Sequence, residues 1–227
     1  MIGTRQMMSK HSVNFSVSFM GKSLTAVESV KDLGVFIDSH MTYDTHISYL
    51  VSSCLSKLVQ INRVKNSFDR ETLKLIIASL VFSKMFYCSS VWSNTSYKNI
   101  QKLQLIQNFA CKIITGARKY DHVAPLLKEL NWLSVSDMLK VRDAVMVYKC
   151  INNLAPDYLC TKFKKRSSVH NHTTRNNSKL QIPLFKSASG QRTFSYRAVS
   201  LWNELDEVLK ISTTVKSFKN LLKTSLL

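Results

Sequence analysis

Between residues 44 and 115, apolar side chains recur at helical spacing almost without a break. This constrains the fold more than any other feature. Ile47, Leu50, Val51, Cys54, Leu55, Leu58 and Ile61 follow an i, i+3, i+4, i+7 pattern. Asp44 stands where a negative charge favours a first helical turn. A second helix is predicted from about Asp69 to Ser90, with Leu73, Ile76, Ile77, Leu80 and Val81 on one face. Phe82, Met85, Phe86 and Tyr87 make it apolar nearly all round, which suits the centre of a bundle. A third, from Tyr97 to Thr115, presents Ile100, Leu103, Ile106, Ala110, Ile113 and Ile114 to the core, and Gly116 ends it as a C′ glycine. With only 5 Gly and 3 Pro in 227 residues, little interrupts these helices.

The flanks read differently. Val13, Phe15, Val17 and Phe19 alternate with polar residues, as in a half-buried strand. A turn is expected at Gly21-Lys22, and Ser23 to Val27 and Ser29 to Ile37 add two more strands of a hairpin or meander. Downstream, a short helix spans about Val123 to Leu130. Ser134-x-x-Asp137 then opens a helix to about Asn153 as a capping-box variant. Pro156 suits the first turn of another short helix. Lys164 to Lys179 reads as a polar loop, Leu180 to Phe185 and Gln191 to Phe194 as short strands, and Tyr196 to Val208 as a helix containing Trp202. A last amphipathic helix carries Val215, Phe218, Leu221 and Leu222 on one face. The expected fold class is mainly α: a small N-terminal β element, a three-helix bundle, then a helical C-terminal region with a short β element. The expected parts are 1–40, 41–120, 121–163 and 164–227.

The net charge of +18 is unevenly placed. No acid lies between Glu71 and Asp121, a block holding Lys74, Lys84, Lys98, Lys102, Lys112, Arg118 and Lys119. None lies between Asp157 and Glu204, a block holding Lys162, Lys164, Lys165, Arg166, Arg175, Lys179, Lys186, Arg192 and Arg197. These two blocks carry sixteen of the eighteen excess charges. Such concentration points to surfaces that meet phosphates, with nucleic acid the first partner and an anionic membrane an alternative. Lys98, Lys102 and Lys112 fall on one side of the third helix, beside its core face. Phe163, between Lys162 and Lys164, is a candidate to stack on a base.

Several chemistries lack their residues. There is no phosphate-binding glycine loop, no dinucleotide fingerprint and no nucleophile elbow. No two aspartates are adjacent, whereas two-metal phosphoryl transfer needs clustered carboxylates to hold its cations. Asp38, His40, Asp44 and His46 match no ligand spacing and read as turn and cap residues. Cys150, Cys160, His170 and His172 are the right types for zinc at the wrong spacing. No metal and no cofactor are expected. Five widely spaced cysteines, an odd number, argue against a disulfide framework and for a reducing, intracellular setting. The first residues carry no signal-peptide pattern, and the most apolar stretch, Leu73 to Trp92, contains Lys74 and Lys84 and reads as a buried helix rather than a membrane span.

A series of segments carries a further signal. Val30-Lys31-Asp32-Leu33-Gly34-Val35-Phe36-Ile37-Asp38, followed by Met41-Thr42-Tyr43-Asp44-Thr45-His46-Ile47, resembles a stretch of the non-LTR (LINE, jockey-like) retrotransposon reverse transcriptases. The resemblance continues in order through residues 102–110, Ile113-Ile114-Thr115-Gly116, Leu130-Asn131-Trp132-Leu133, 148–159, 192–205 and Ser217-Phe218-Lys219-Asn220-Leu221. It implies that residues 1–40 are the end of the palm, with Leu33 and Gly34 in the primer-grip region. It implies that 41–120 is the thumb, which holds template–primer by its backbone. The rest follows the thumb and is expected to bind element RNA or target DNA. In that family the fingers, most of the palm and the catalytic Asp-Asp box lie upstream. No catalytic residue is therefore carried over, no polymerase activity is expected from this chain alone, and Met1 is expected to be an internal methionine. A nuclear location would follow from the parent protein's behaviour. The expected phosphate contacts are Lys98, Lys102, Lys112, Arg118, Lys119, Lys162, Lys164, Lys165, Arg166, Arg192 and Arg197. The alternatives are a non-binding remnant that has lost its palm, and a basic domain binding anionic membrane.

Overall fold

The computed structural model describes Gly3 and residues 16–169 and 177–227. Val13 and Phe15 of the first expected strand lie outside these residues, as do His170, His172 and Arg175. The protein is mainly α-helical with two small antiparallel strand pairs at its start. It divides into two compact units, one of residues up to Cys88 with Trp92–Lys119, the other of Ser89–Val91 with Tyr120–Leu227. No helix among the described residues is long and apolar enough to cross a membrane.

In the first unit, strand β1 (Ser16–Phe19) pairs with β2 (Lys22–Thr25), and β3 (Ser29–Asp32) with β4 (Val35–Asp38). The expected half-buried first strand is instead exposed along its whole length, with Val17 46% and Phe19 62% exposed, because no described element covers either face. The expected strand from Ser29 to Ile37 is a hairpin. Leu33 and Gly34 form its two-residue turn, both at positive φ (43° and 88°). Two left-handed residues match the right-handed twist of the flanking strands, as in a type I′ turn. The first hairpin likewise turns at Met20-Gly21 rather than at Gly21-Lys22.

Helix α1 (Asp44–Val64) buries His46, Ile47, Leu50, Cys54, Leu58 and Ile61, as its periodicity requires. The expected helix from Asp69 to Ser90 is shorter and irregular. Helix α2 (Arg70–Ile77), capped by the Asp69 carboxylate, passes through a π-helical turn (Ala78–Phe82) into α3 (Ser83–Met85). Leu73, Ile77, Val81 and Met85 are buried while Leu75 and Leu80 are 70% and 51% exposed. Residues spaced by four drift around a regular helix, and the wider π turn keeps these four on one line. Cys88 at φ 47° breaks the chain direction before the single turn α4 (Ser89–Trp92). Helix α5 (Tyr97–Thr115), capped by the Ser96 hydroxyl, packs on α1 and α2 and ends at Gly116 with φ 71°.

In the second unit, α6 (Val123–Glu129) precedes α7 (Val135–Ile151), the central helix. The Ser134 hydroxyl accepts from the Asp137 N–H at 3.1 Å and caps the helix, while the Asp137 carboxylate accepts from that hydroxyl at 2.7 Å rather than from the Ser134 N–H, so only half of the expected capping box forms. Helices α8 (Asp157–Cys160), α9 (Ala188–Gln191), α10 (Phe194–Glu204), α11 (Glu207–Lys210) and α12 (Val215–Leu226) follow, and α10 and α12 pack on α7. The core joins Val147 and Tyr148 to Ala198, Val199, Trp202, Phe218 and Leu222. Neither expected C-terminal strand forms. Leu180 makes a single antiparallel bridge with Lys165. Its N–H and C=O are both bonded by the Asn203 amide (2.9 and 3.0 Å), which takes the place of a neighbouring strand. Residues 191–194 instead close α9 and open α10.

Candidate nucleic-acid interface

The Leu33-Gly34 turn is exposed but not loose. The Tyr87 hydroxyl donates to the Leu33 carbonyl at 3.2 Å, and a Cβ at Gly34 would meet the Tyr87 ring at 3.6 Å. Below it, β4 delivers Asp38, whose carboxylate accepts from the N–H groups of His40 (3.0 Å), Thr42 (3.0 Å) and Tyr43 (2.6 Å). Burial raises the Asp38 pKa, but these bonds outweigh it and hold the carboxyl below its ordinary value. His46 is buried at the start of α1. Burial holds its imidazole below the ordinary value, and its Nδ1 accepts from the Phe36 N–H. Asp38, His40, Asp44 and His46 are thus turn and helix-start residues, and no cluster of three or more metal-ligating side chains occurs among the described residues.

Of the cations expected on α5, Lys98 is exposed. Lys102, one turn on, is half-buried and donates to Asn99 Oδ1 at 3.1 Å, while Asn99 Nδ2 donates to Asp44 Oδ1 at 2.6 Å. Lys112 donates to the Lys119 carbonyl and ties the segment after Gly116 back to the helix. Arg118 and Lys119 are exposed on that segment. A second gathering of cations was not foreseen. Lys84 lies over the Tyr49 ring at 4.8 Å and donates to the Ser53 hydroxyl, and Lys31 approaches the Tyr49 and Phe36 rings at 5.8 and 5.5 Å. These residues come from β3, β4, α1 and α3, and no local spacing links them. The aromatic-plus-lysine composition of each segment was the only trace available.

In the second unit Lys162, Lys164 and Lys165 are exposed and Arg166 is half-buried. The backbone that carries them is fixed by the Leu180 bridge and by bonds from Gln181 N to Lys164 O (2.8 Å) and Arg166 N to Lys179 O (2.9 Å). Arg192 is exposed. Two expected site residues turn inward. Phe163 is 8% exposed and meets the Phe194 ring edge-on at 5.9 Å, so its apolar surface is spent in the core and no face is left for a base. Arg197 Nε donates to the buried Asp143 carboxylate at 3.0 Å, and its other nitrogens donate to the carbonyls of Arg192 and Ser90. Its guanidinium is engaged inside the fold rather than offered to phosphate.

Cys54 and Cys150 are buried, and burial pushes both thiols up to about 11. Cys160 donates to the Ala155 carbonyl at 3.1 Å.

No family model matches the chain, and no solved structure matches it. Over 130 residues, 56% of the chain, it is 22% identical to the probable RNA-directed DNA polymerase from transposon BS of Drosophila melanogaster. Over 135 residues, 58% of the chain, it is 23% identical to the RNA-directed DNA polymerase from mobile element jockey of Drosophila funebris. The matched stretch spans 14% of the length of each of these curated relatives. The resemblance to jockey-like, non-LTR RNA-directed DNA polymerases therefore holds, and it is a resemblance to one part of such a protein.

Proposed function

We propose that this chain is the part of a LINE-type RNA-directed DNA polymerase that holds nucleic acid by its backbone, without sequence preference and without a catalytic centre of its own. One observation carries the reading. Cations from both acid-free blocks stand at the surface of folded units: Lys98, Arg118 and Lys119 in the first, Lys162, Lys164, Lys165 and Arg192 in the second. Lys102 and Arg166 stand half-exposed beside them. Phosphate contacts by lysine and arginine position a strand and carry no sequence information. In this reading α1, α2, α3 and α5 act as a thumb on a template–primer duplex, and the Leu33-Gly34 turn, braced by Tyr87, supports the primer end.

The test is affinity for a hybrid duplex and for single-stranded RNA across a salt series. At about −0.7 per phosphate on a single strand, the seven exposed cations correspond to a log–log slope of roughly −5 when all are engaged. A slope near zero sinks the reading. Primer extension by the chain alone is expected to yield no product.

A second reading has its own support. Val17, Phe19, Met20, Leu24, Val30 and Leu33 are all exposed on the two hairpins, and Val27 is exposed in the segment between them. Apolar residues this concentrated mark a surface that another element covers. A palm would be that element, and a chain without one would self-associate through these residues. Light scattering at increasing concentration separates the two: a monomer that stays soluble counts against the remnant reading.

A further inference from the structure

Charge arithmetic along the sequence conceals a third basic surface. Residues 204–227 are nearly neutral in sum, yet their acids, Glu204, Asp206 and Glu207, all precede α12. Glu207 is paired with Lys210 at 2.9 Å. Helix α12 itself contains no acid and carries Lys216, Lys219 and Lys223 at i, i+3 and i+7, one stripe along two turns. None of these three lysines has an ion-pair partner among the described residues.

Packing decides where the stripe points. Phe218 and Leu222 are buried, and the Phe218 ring stacks on Tyr148 of α7 at 4.7 Å. This seats α12 on α7 and brings Arg142 of α7 close enough to act on Lys223, together with Lys219. Lys223 is half-buried. Burial first, then Lys219 and Arg142, push its ammonium below the ordinary lysine value. Burial also lowers Arg142. Like charges at i, i+3 and i, i+4 on one helix face repel one another, and three lysines in a stripe without an acid are destabilising until an anion offsets them.

We propose that Lys216, Lys219 and Lys223 of α12 form a site for successive phosphates of a polynucleotide strand. The site rests on the reading of the chain as a nucleic-acid binder but uses none of the cations assigned in it. A polynucleotide fits better than a lipid surface. A helix lying in a membrane must present its apolar face to the lipid, and the Phe218–Leu222 face of α12 is already buried in the core. A row of lysines two turns long fits a row of phosphates.

The test compares the full chain with two variants, Lys216→Gln/Lys219→Gln/Lys223→Gln and Lys98→Gln/Lys164→Gln/Lys165→Gln. Fluorescence anisotropy of a labelled single-stranded RNA is followed from about 50 to 200 mM salt, the range over which phosphate contacts dominate affinity. The α12 variant is expected to flatten the log–log slope by about 2, three contacts at about 0.7 each. Its melting temperature is expected to hold or rise, because like charges are removed. An unchanged slope in the α12 variant, with a steep wild-type slope, overturns this site and leaves the broader reading standing. An unchanged slope in the Lys98/Lys164/Lys165 variant alone overturns those three cations as phosphate contacts and leaves the α12 site standing. Phosphatidylserine vesicles complete the test: loss of vesicle binding with RNA affinity intact in the α12 variant overturns the polynucleotide assignment.

Discussion

Arg197→Ala is expected to unfold the second unit far more readily than a surface charge deletion does. The Asp143 side chain is 7% exposed, and its ion pair with Arg197 Nε closes at 3.0 Å. Deleting the guanidinium removes a charge-assisted hydrogen bond and leaves a carboxylate in the core without that cation. Breaking a buried pair from one side costs about 3–5 kcal/mol. Replacing both partners by apolar residues of similar size, Asp143→Leu with Arg197→Met, removes the stranded charge. It is expected to cost under about 2 kcal/mol, because the acceptors left behind, the carbonyls of Arg192 and Ser90, lie in residues that are not buried and water can reach them. The assay is urea denaturation followed by circular dichroism, with the two single variants completing the double-mutant cycle. A loss under about 1 kcal/mol for Arg197→Ala, well below the range for one-sided removal of a buried pair, would refute the reasoning. So would a double variant no better than the single. RNA affinity adds a second check. If Arg197 is a structural cation, the folded Arg197→Ala chain keeps its salt slope. If it contacts phosphate, the slope falls by about 0.7.

Three further outcomes are expected. Leu33→Asn should stabilise the β3–β4 hairpin by about 0.5–1 kcal/mol, since Asn tolerates the left-handed φ of 43° and Leu33, 83% exposed, loses little packing; a fall in thermal midpoint would contradict the turn assignment. Ser134→Ala should cost about 1 kcal/mol by uncapping α7, measured by urea denaturation, with Ser134→Asp restoring most of it. Acid should destabilise the first unit from pH 6.5 downward. His46 has a folded pKa below its ordinary 6.5, so its contribution is fully present above 6.5 and is lost as the pH falls toward the folded value. Stability curves against pH for the wild type and His46→Gln should then diverge below 6.5, and parallel curves would exclude His46 as the source.

The helices that bury one stripe were legible in the sequence. Helix α1, α5 with its terminal Gly116, and α7 with its Ser134 cap follow from local spacing and capping alone. Where the expectation failed, the deciding contact was remote in sequence. Residues 180–185 have the composition of a strand, but the Asn203 amide satisfies Leu180 from 23 residues away. The predicted second helix lost its last turns to a π segment and to the left-handed Cys88, which periodicity cannot see. In the candidate interface, Phe163 and Arg197 look from their neighbours like nucleic-acid contacts, and their tertiary partners, Phe194 and Asp143, draw them inward.

What the sequence determined by itself was the mainly helical class, the concentration of +18 in two acid-free blocks, and the ordered series of segments shared with mobile-element polymerases. Each depends on residues near one another in the chain or on their sum. The tertiary structure decided which cations remain at the surface. Whether a lysine or arginine meets solvent, a carbonyl or a buried carboxylate depends on what packing brings beside it. Packing took Arg197 into an ion pair with Asp143. The helical fold of the last residues also lined up Lys216, Lys219 and Lys223 in one stripe on α12, where a running sum of charge registers almost nothing.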